Sequence, residues 1–164
     1  MKKVLDIGCG DNPYIAKEDE IVTTVDIRSE VKPTVVCDIR ELPFESKYFD
    51  KVRASHVLEH FGRNETHKVL DGWVRVLKIG GELEIIVPNI EWAMENIYNT
   101  HPYDNVISNE DTVISVLYGD QNYPENFHKM GFTKTNLRRE LEIFGLKIRH
   151  IETNYYNLKM VGIK

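Results

Sequence analysis

Leu5-Asp6-Ile7-Gly8-Cys9-Gly10-Asp11-Asn12-Pro13 is the stretch on which the fold turns: an apolar run, Lys3 to Ile7, stops at once on glycines at alternate positions. Glycine lets backbone amides approach a ligand where a β-carbon would collide, so the turn reads as a ligand cradle at the end of a strand. Working outward, short apolar runs recur at Ile21 to Val25, Thr34 to Cys37, Lys51 to Ala54 and Glu82 to Val87. Their β-branched content, and near-continuous hydrophobicity in several, predict strands of a parallel sheet buried on both faces. Glu65 to Leu77 places Val69, Leu70, Trp73, Val74 and Leu77 close to helical spacing, with Gly80 and Gly81 as its stop. Strand, helix, strand in that order fits a right-handed crossover.

Past Pro88, Trp92 to Tyr98 is predicted helical, and Thr100 to Asn126 is an insertion with a brief apolar stretch at Val113 to Leu117. A further helix is expected over Lys134 to Phe144, capped near Thr135 and ended by Gly145. Leu146 to Ile151 and Leu158 to Ile163 then form two strands joined by a turn at Thr153 to Asn157. Only about a dozen residues separate the first two strands, so the helix usual between them is short or absent. The expected fold is α/β: a mostly parallel seven-stranded sheet with an antiparallel C-terminal hairpin strand and helices on both faces. A single domain over residues 1–164 is expected, with residues of about 91–133 as a cap.

The chain has 164 residues, 41% hydrophobic and 29% charged, which suits one folded domain rather than a disordered chain. No apolar run approaches the roughly 20 residues of a membrane span, and no leader precedes the first strand, so a cytoplasmic location is expected. The two cysteines, Cys9 and Cys37, lack a CxxC or Cys/His setting and read as reduced thiols; no metal is expected. A net charge of −5 disfavours a nucleic-acid partner, because phosphate binding draws on Lys and Arg. The late basic cluster Arg138, Arg139, Lys147 and Arg149 reads as a solvated helix face.

Three features agree with the cradle. Asp26 closes the second strand roughly 18–20 residues beyond the glycine turn, where a carboxylate can accept from both hydroxyls of an unphosphorylated ribose. Asp38 closes the third strand near the switch point of the sheet, placed to accept from an adenine amino group. The dinucleotide fingerprint GxGxxG fails, because Pro13 stands at its last glycine. A nucleoside without a phosphate bridge suits such a loop better than a dinucleotide, which counts against a nicotinamide dehydrogenase.

In order along the chain, LDIGCG, VDI, CDIRELPFESKYFD, SHVLEHF and RVLKIGGELEIIVPN resemble the successive motifs of class I, Rossmann-like S-adenosylmethionine-dependent methyltransferases of the type-11 methyltransferase domain family. The resemblance covers Val4 to Asn89 and implies S-adenosylmethionine as cofactor and S-adenosylhomocysteine as product. It implies that Asp6, Gly8, Cys9 and Gly10 hold the methionine part, and Asp26 and Ile27 the ribose and adenine edge. Asp38 and the backbone of Ile39 would read the adenine, and Ser55 and His56 would lie beside the methyl group. Asn12 replaces the third glycine of the family motif, and the chain begins at strand one without the helices that often cover the cofactor. Cover from a loop or a partner subunit is therefore expected.

YGDQNYPENFHKMGFTKTNLRRELEIFGL, from Tyr118 onward, resembles a subset of these enzymes associated with glycan pathways. That resemblance makes His128 the candidate catalytic base, since imidazole titrates near neutrality and can take a proton from an attacking hydroxyl. An equal alternative is a histidine that anchors the insertion. His60, Tyr118, Gln121 and Tyr123 are further acceptor-side candidates. Ser55-His56-Val57-Leu58 stands where an NPPY-type sequence would support amide or adenine amino methylation, so a small-molecule or glycan acceptor at oxygen is expected, with carbon or amine acceptors open.

Other readings compete. His56-Val57-Leu58-Glu59-His60 spells the H-x-x-E-H of inverted zinc proteases, with both histidines on one helical face, but it follows a strand and shows no third ligand. A catalytically silent cofactor-binding or interaction domain is the alternative of another class. Trp92, Met94 and the insertion tyrosines either cover a second copy in a homo-oligomer or close the pocket, and composition does not choose.

Overall fold

The computed structural model describes residues 1–97 and 110–164. Seven strands form one sheet: β1 (Lys2–Ile7), β2 (Glu20–Asp26), β3 (Val35–Val36), β4 (Phe49–Ser55), β5 (Leu77–Pro88), β6 (Lys147–Asn154) and β7 (Asn157–Ile163). Their order is β3-β2-β1-β4-β5-β7-β6, parallel through β5, with β7 antiparallel to both β5 and β6. The expected mostly parallel sheet with a C-terminal hairpin is thus what the chain forms. Helices α1 (Arg63–Val76), α2 (Ile90–Asn96), α3 (Glu110–Tyr118) and α4 (Lys134–Ile143) complete the described elements, with single 3-10 turns at Ser29–Val31 and Leu58–His60.

Helix α1 buries Val69, Leu70, Trp73, Val74 and Val76 against Leu5, Ile7, Val52, Ala54, Leu83 and Ile85 of the sheet. Leu137 and Leu141 of α4 and Leu158 and Met160 of β7 extend this main core, while Ala93, Val113 and Val116 form a smaller cluster between α2 and α3. At about 25 cal/mol per Å² this apolar burial is the main force holding the sheet to its helices. The other face of the central strands differs. Register sets Asp6 opposite Arg53, Arg53 opposite Glu84, and Lys51 opposite Glu82. Ion pairs follow at 2.7 Å for Arg53–Asp6, 2.9 Å for Lys51–Glu84 and 3.4 Å for Arg53–Glu84, joined by Lys159 at 3.5 Å from Glu84. Tyr14, from the connection after β1, lies over Lys51 and Arg53, its ring centroid 5.1 and 5.7 Å away.

Several boundaries differ from the sequence reading. Helix α1 ends at Val76 rather than at the glycines, and β5 begins at once at Leu77, so Gly80 and Gly81 sit in an irregularity of the β4–β5 ladder between Phe49 and Lys51. Strand β3 is two residues long because Thr34 and Thr24 bond through their side chains, Thr34 N–H donating to Thr24 Oγ1 at 2.8 Å. The cap of α4 is Thr133, whose Oγ1 accepts from Asn136 N–H while Asn136 Oδ1 accepts from Thr133 N–H. No helix joins β1 to β2, one of the two outcomes, short or absent, that their spacing allows. The helix expected at Trp92 to Tyr98 starts earlier, at Ile90, on the Asn89 cap. Val113 to Leu117 lies in α3. Tyr98 and the first part of the insertion fall outside the described residues. No helix among the described residues is long and apolar enough to cross a membrane.

Candidate active site

The carboxyl ends of β1, β2 and β4 meet in a cavity of about 920 Å³. Gly8 N–H and Cys9 N–H both donate to Val25 O, at 2.8 and 3.1 Å, which pins the first turn onto β2. Gly8 has φ +62°, and a β-carbon on it would lie 2.5 Å from Val57 Cγ2. Only glycine therefore allows the cradle to press against the segment leaving β4.

Asp-Ile-Arg occurs twice, at the ends of β2 and β3, and folds the same way each time. Asp26 Oδ1 accepts from Arg28 N–H, and Asp38 Oδ1 from Arg40 N–H, both at 2.9 Å. Each aspartate holds its own turn by the Asx mechanism. Asp26 Oδ2 also accepts from Gly10 N–H at 2.9 Å, so one buried carboxylate ties cradle to second strand. Asp38 is gripped by the Arg40 guanidinium, with Nη2 2.6 Å from Oδ2, which holds its carboxyl below the usual carboxylate range. The Ile39 carbonyl accepts from the Trp73 indole N–H at 3.3 Å.

Gly8, Cys9, Gly10, Asp26, Ile27, Asp38, Ile39, Ser55 and His56 all line the cavity. Asp6 does not: it is fully buried, accepting from Arg53 Nη1 and from Tyr14 N–H, both at 2.7 Å, and it braces the cradle from beneath. Burial first, then Asp26 and Asp6 nearby, push the Cys9 thiol up, keeping it protonated. Sequence reasoning missed Arg28, whose guanidinium carbon lies 4.8 Å from the centroid of the Tyr123 ring and bridges Asp26 to the cap. The doubled Asp-Ile-Arg was the signal available for it.

On the acceptor side, His128, His60 and Tyr123 line the same cavity. Tyr118 and Gln121 do not. Tyr118 is exposed at the end of α3 and contributes its carbonyl, which accepts from His128 N–H at 3.1 Å, while Gln121 occupies a turn at φ +55°. His128 Nδ1 lies 3.0 Å from Val116 O, and its side chain is 10% exposed. Burial lowers its pKa against the pull of Glu59, so the ring is neutral at physiological pH. The ring stands edge-on to His60, with centroids 5.2 Å apart. Gly119 makes this approach possible: at φ +79°, a β-carbon there would meet Asn126 O at 2.5 Å and His128 Cδ2 at 3.1 Å.

His56-x-x-Glu59-His60 is not helical throughout. His56 has φ +55° and precedes the turn at Leu58–His60, so the two histidines do not share a helix face. Burial disfavours charge on His56, but the adjacent Glu59 carboxylate outweighs it and raises the pKa.

Asp26 and Asp38 line the cavity, and the cradle runs into Asp11, Asn12 and Pro13 with no helix N-terminus to receive a pyrophosphate. The sequence family described as methyltransferase domain matches residues 5–85. The chain is 34% identical over 102 residues to the probable tRNA methyltransferase 9B of Mus musculus, covering 56% of this chain and 22% of that protein. It is 48% identical over 76 residues to the ubiquinone/menaquinone biosynthesis C-methyltransferase of Bordetella parapertussis, covering 40% and 28% respectively. The chain thus spans about a quarter of the length of these curated relatives. Among solved structures, a SAM-dependent methyltransferase of Methanosarcina mazei superposes with a TM-score of 0.73 at 19% identity, over 99% of this chain and 92% of that one. A Burkholderia thailandensis 1,6-didemethyltoxoflavin N1-methyltransferase with bound S-adenosylhomocysteine superposes at 0.67 and 17% identity, over 99% and 71%.

Proposed function

Since residues 5–85 match the methyltransferase domain family, we propose that the chain transfers a methyl group from S-adenosylmethionine to an oxygen of a small-molecule or glycan acceptor. The observation that carries this reading is the shared cavity: the Gly8–Gly10 cradle and Asp26 open onto the same space as His60 and His128. S-adenosylmethionine, when bound, supplies a methyl group already activated by its sulfonium. The protein's part is then mainly positioning, which can remove about 7–11 kcal/mol of barrier when two reactants are held in line. Asp26 has lone pairs beyond those given to Gly10 and Arg28 and offers them to the ribose hydroxyls. Ser55, the last residue of β4, and His56 after it border the methyl end, and the described part of the insertion that carries Tyr123 and His128 borders the acceptor side. His128 faces the acceptor with Nε2, because its Nδ1–H is committed to Val116 O.

A nucleic-acid acceptor is the second reading, favoured by the relatives named as tRNA methyltransferases and opposed by the net charge of −5. Calorimetry with S-adenosylmethionine, S-adenosylhomocysteine and NAD is the first test. Dissociation constants on the order of micromolar are expected for the first two and none for NAD. Asp26→Ala should weaken nucleoside binding about tenfold or more, the worth of a charge-assisted hydrogen bond. NAD binding in place of both nucleosides would refute methyl transfer. With binding secured, an acceptor screen separates methylated hydroxyl compounds from methylated tRNA, and binding without any product identifies a silent domain.

A further inference from the structure

Glu59 is a buried acid that the methyl-transfer geometry does not use. Its side chain is 2% exposed, and neither Oε1 nor Oε2 accepts a hydrogen bond from the described residues. Carboxylate oxygens buried in this way are costly unless a cation reaches them. The ion-pair partners of Oε1 are imidazoles, His56 Nδ1 at 3.4 Å and His128 Nε2 at 4.0 Å. With His60, Glu59 and His128 form a set whose ligand atoms all lie within 4.8 Å of one another. Two ligands about 2.1 Å from one ion at the tetrahedral angle lie about 3.4 Å apart, so small side-chain movements close this set around a single ion.

Both histidines are prepared for that task. His60 Nδ1 lies 3.1 Å from Phe127 O, and His128 Nδ1 lies 3.0 Å from Val116 O. A carbonyl can only accept, so each Nδ1 carries the proton and each Nε2 keeps a lone pair, as in the outer shell of metal-bound imidazoles. The backbone locks the pieces together, since Glu59 O accepts from Lys129 N–H at 2.8 Å and from Met130 N–H at 3.1 Å.

We propose that Glu59, His60 and His128 hold a divalent first-row transition ion, of the class of Zn²⁺, Mn²⁺ or Co²⁺, whose open positions receive the oxygen of the acceptor. Two borderline imidazoles beside one hard carboxylate suit such an ion, unlike the all-oxygen ligand sets of Mg²⁺ and Ca²⁺. Three protein ligands leave coordination positions free, the pattern of catalytic rather than structural sites. His60 and His128 both line the cavity, so those positions face the space shared with the Gly8–Gly10 cradle. The inference rests on the proposed methyl transfer for its acceptor half. In it His128 is a ligand through Nε2 rather than a base. The H-x-x-E-H string contributes its last two residues, and the third ligand comes from the cap.

Untagged protein stripped with a chelator is titrated with Co²⁺ alone, followed by visible absorption and calorimetry, and separately with S-adenosylhomocysteine. Stoichiometric Co²⁺ binding, displaced by Zn²⁺, is expected, with affinity falling about a hundredfold or more in His60→Ala and His128→Ala. Glu59→Gln, which keeps the side-chain volume, should lose the ion as well. Circular dichroism checks folding, and the partly exposed His60 is the position whose substitution least threatens it. No stoichiometric Co²⁺ or Zn²⁺ binding by the wild type, or binding that survives all three substitutions, overturns the site. Nucleoside binding without metal binding rejects the ion and leaves methyl transfer standing, whereas metal binding without nucleoside binding supports the ion and rejects the methyl-transfer reading.

Discussion

Replacing Gly8 by alanine sets a β-carbon 2.5 Å from Val57 Cγ2 in a backbone held at φ +62°. The left-handed conformation alone costs a non-glycine residue about 1–2 kcal/mol, and the clash adds to it. Gly8→Ala is therefore expected to lower the urea midpoint and weaken S-adenosylhomocysteine binding. Adding Val57→Ala should recover part of the stability, the part due to the clash, and recovery of all of it would show that the backbone carries no strain. That Gly8, Gly10, Asp26 and Asp38 line the cavity was legible in the sequence because each sits at the end of a strand or in the turn that follows it. Glu59 was not, since its meaning depends on His128, brought from far along the chain by the Lys129 and Met130 N–H bonds to Glu59 O. Asp6 does not line the cavity but braces the cradle from beneath, through Arg53 and Tyr14, partners that its local sequence does not reveal.

At the scale of elements, α4 depends on one reciprocal cap. Thr133→Ala removes the acceptor for Asn136 N–H and should cost about 1 kcal/mol, read as a lower denaturant midpoint with an unchanged slope. Thr135→Ala, at the position the sequence suggested, should cost less. Strand positions were read correctly from composition, but their ends were not: β5 begins directly at the end of α1, so no turn residue marks the change of period. The glycines that should have marked it lie three residues further on. Alternation in Lys51-Val52-Arg53-Ala54 and Glu82-Leu83-Glu84-Ile85 carried more than was taken from it, since period-two patterning signals one apolar face. That pattern is the sequence trace of the ionic face.

For the molecule as a whole, Glu84 gives a handle on that face. Burial would raise its pKa, but Lys51, Lys159 and Arg53 lower it on balance. A carboxylate with a depressed folded-state pKa stabilises the fold above its unfolded value of about 4.3, and the contribution is lost as pH falls through the folded value. Melting curves of wild type and Glu84→Gln should therefore differ at neutral pH and converge in acid, and a gap that stayed constant into acid would contradict the ion-pair account. The two faces of the sheet also answer solutes differently. Sulfate is excluded from protein surfaces and reinforces apolar burial, whereas any added electrolyte screens charges that still touch water. The Lys51 and Arg53 side chains keep 15% and 18% of their surface in solvent, so concentrated salt tightens one side of this sheet while it loosens the other.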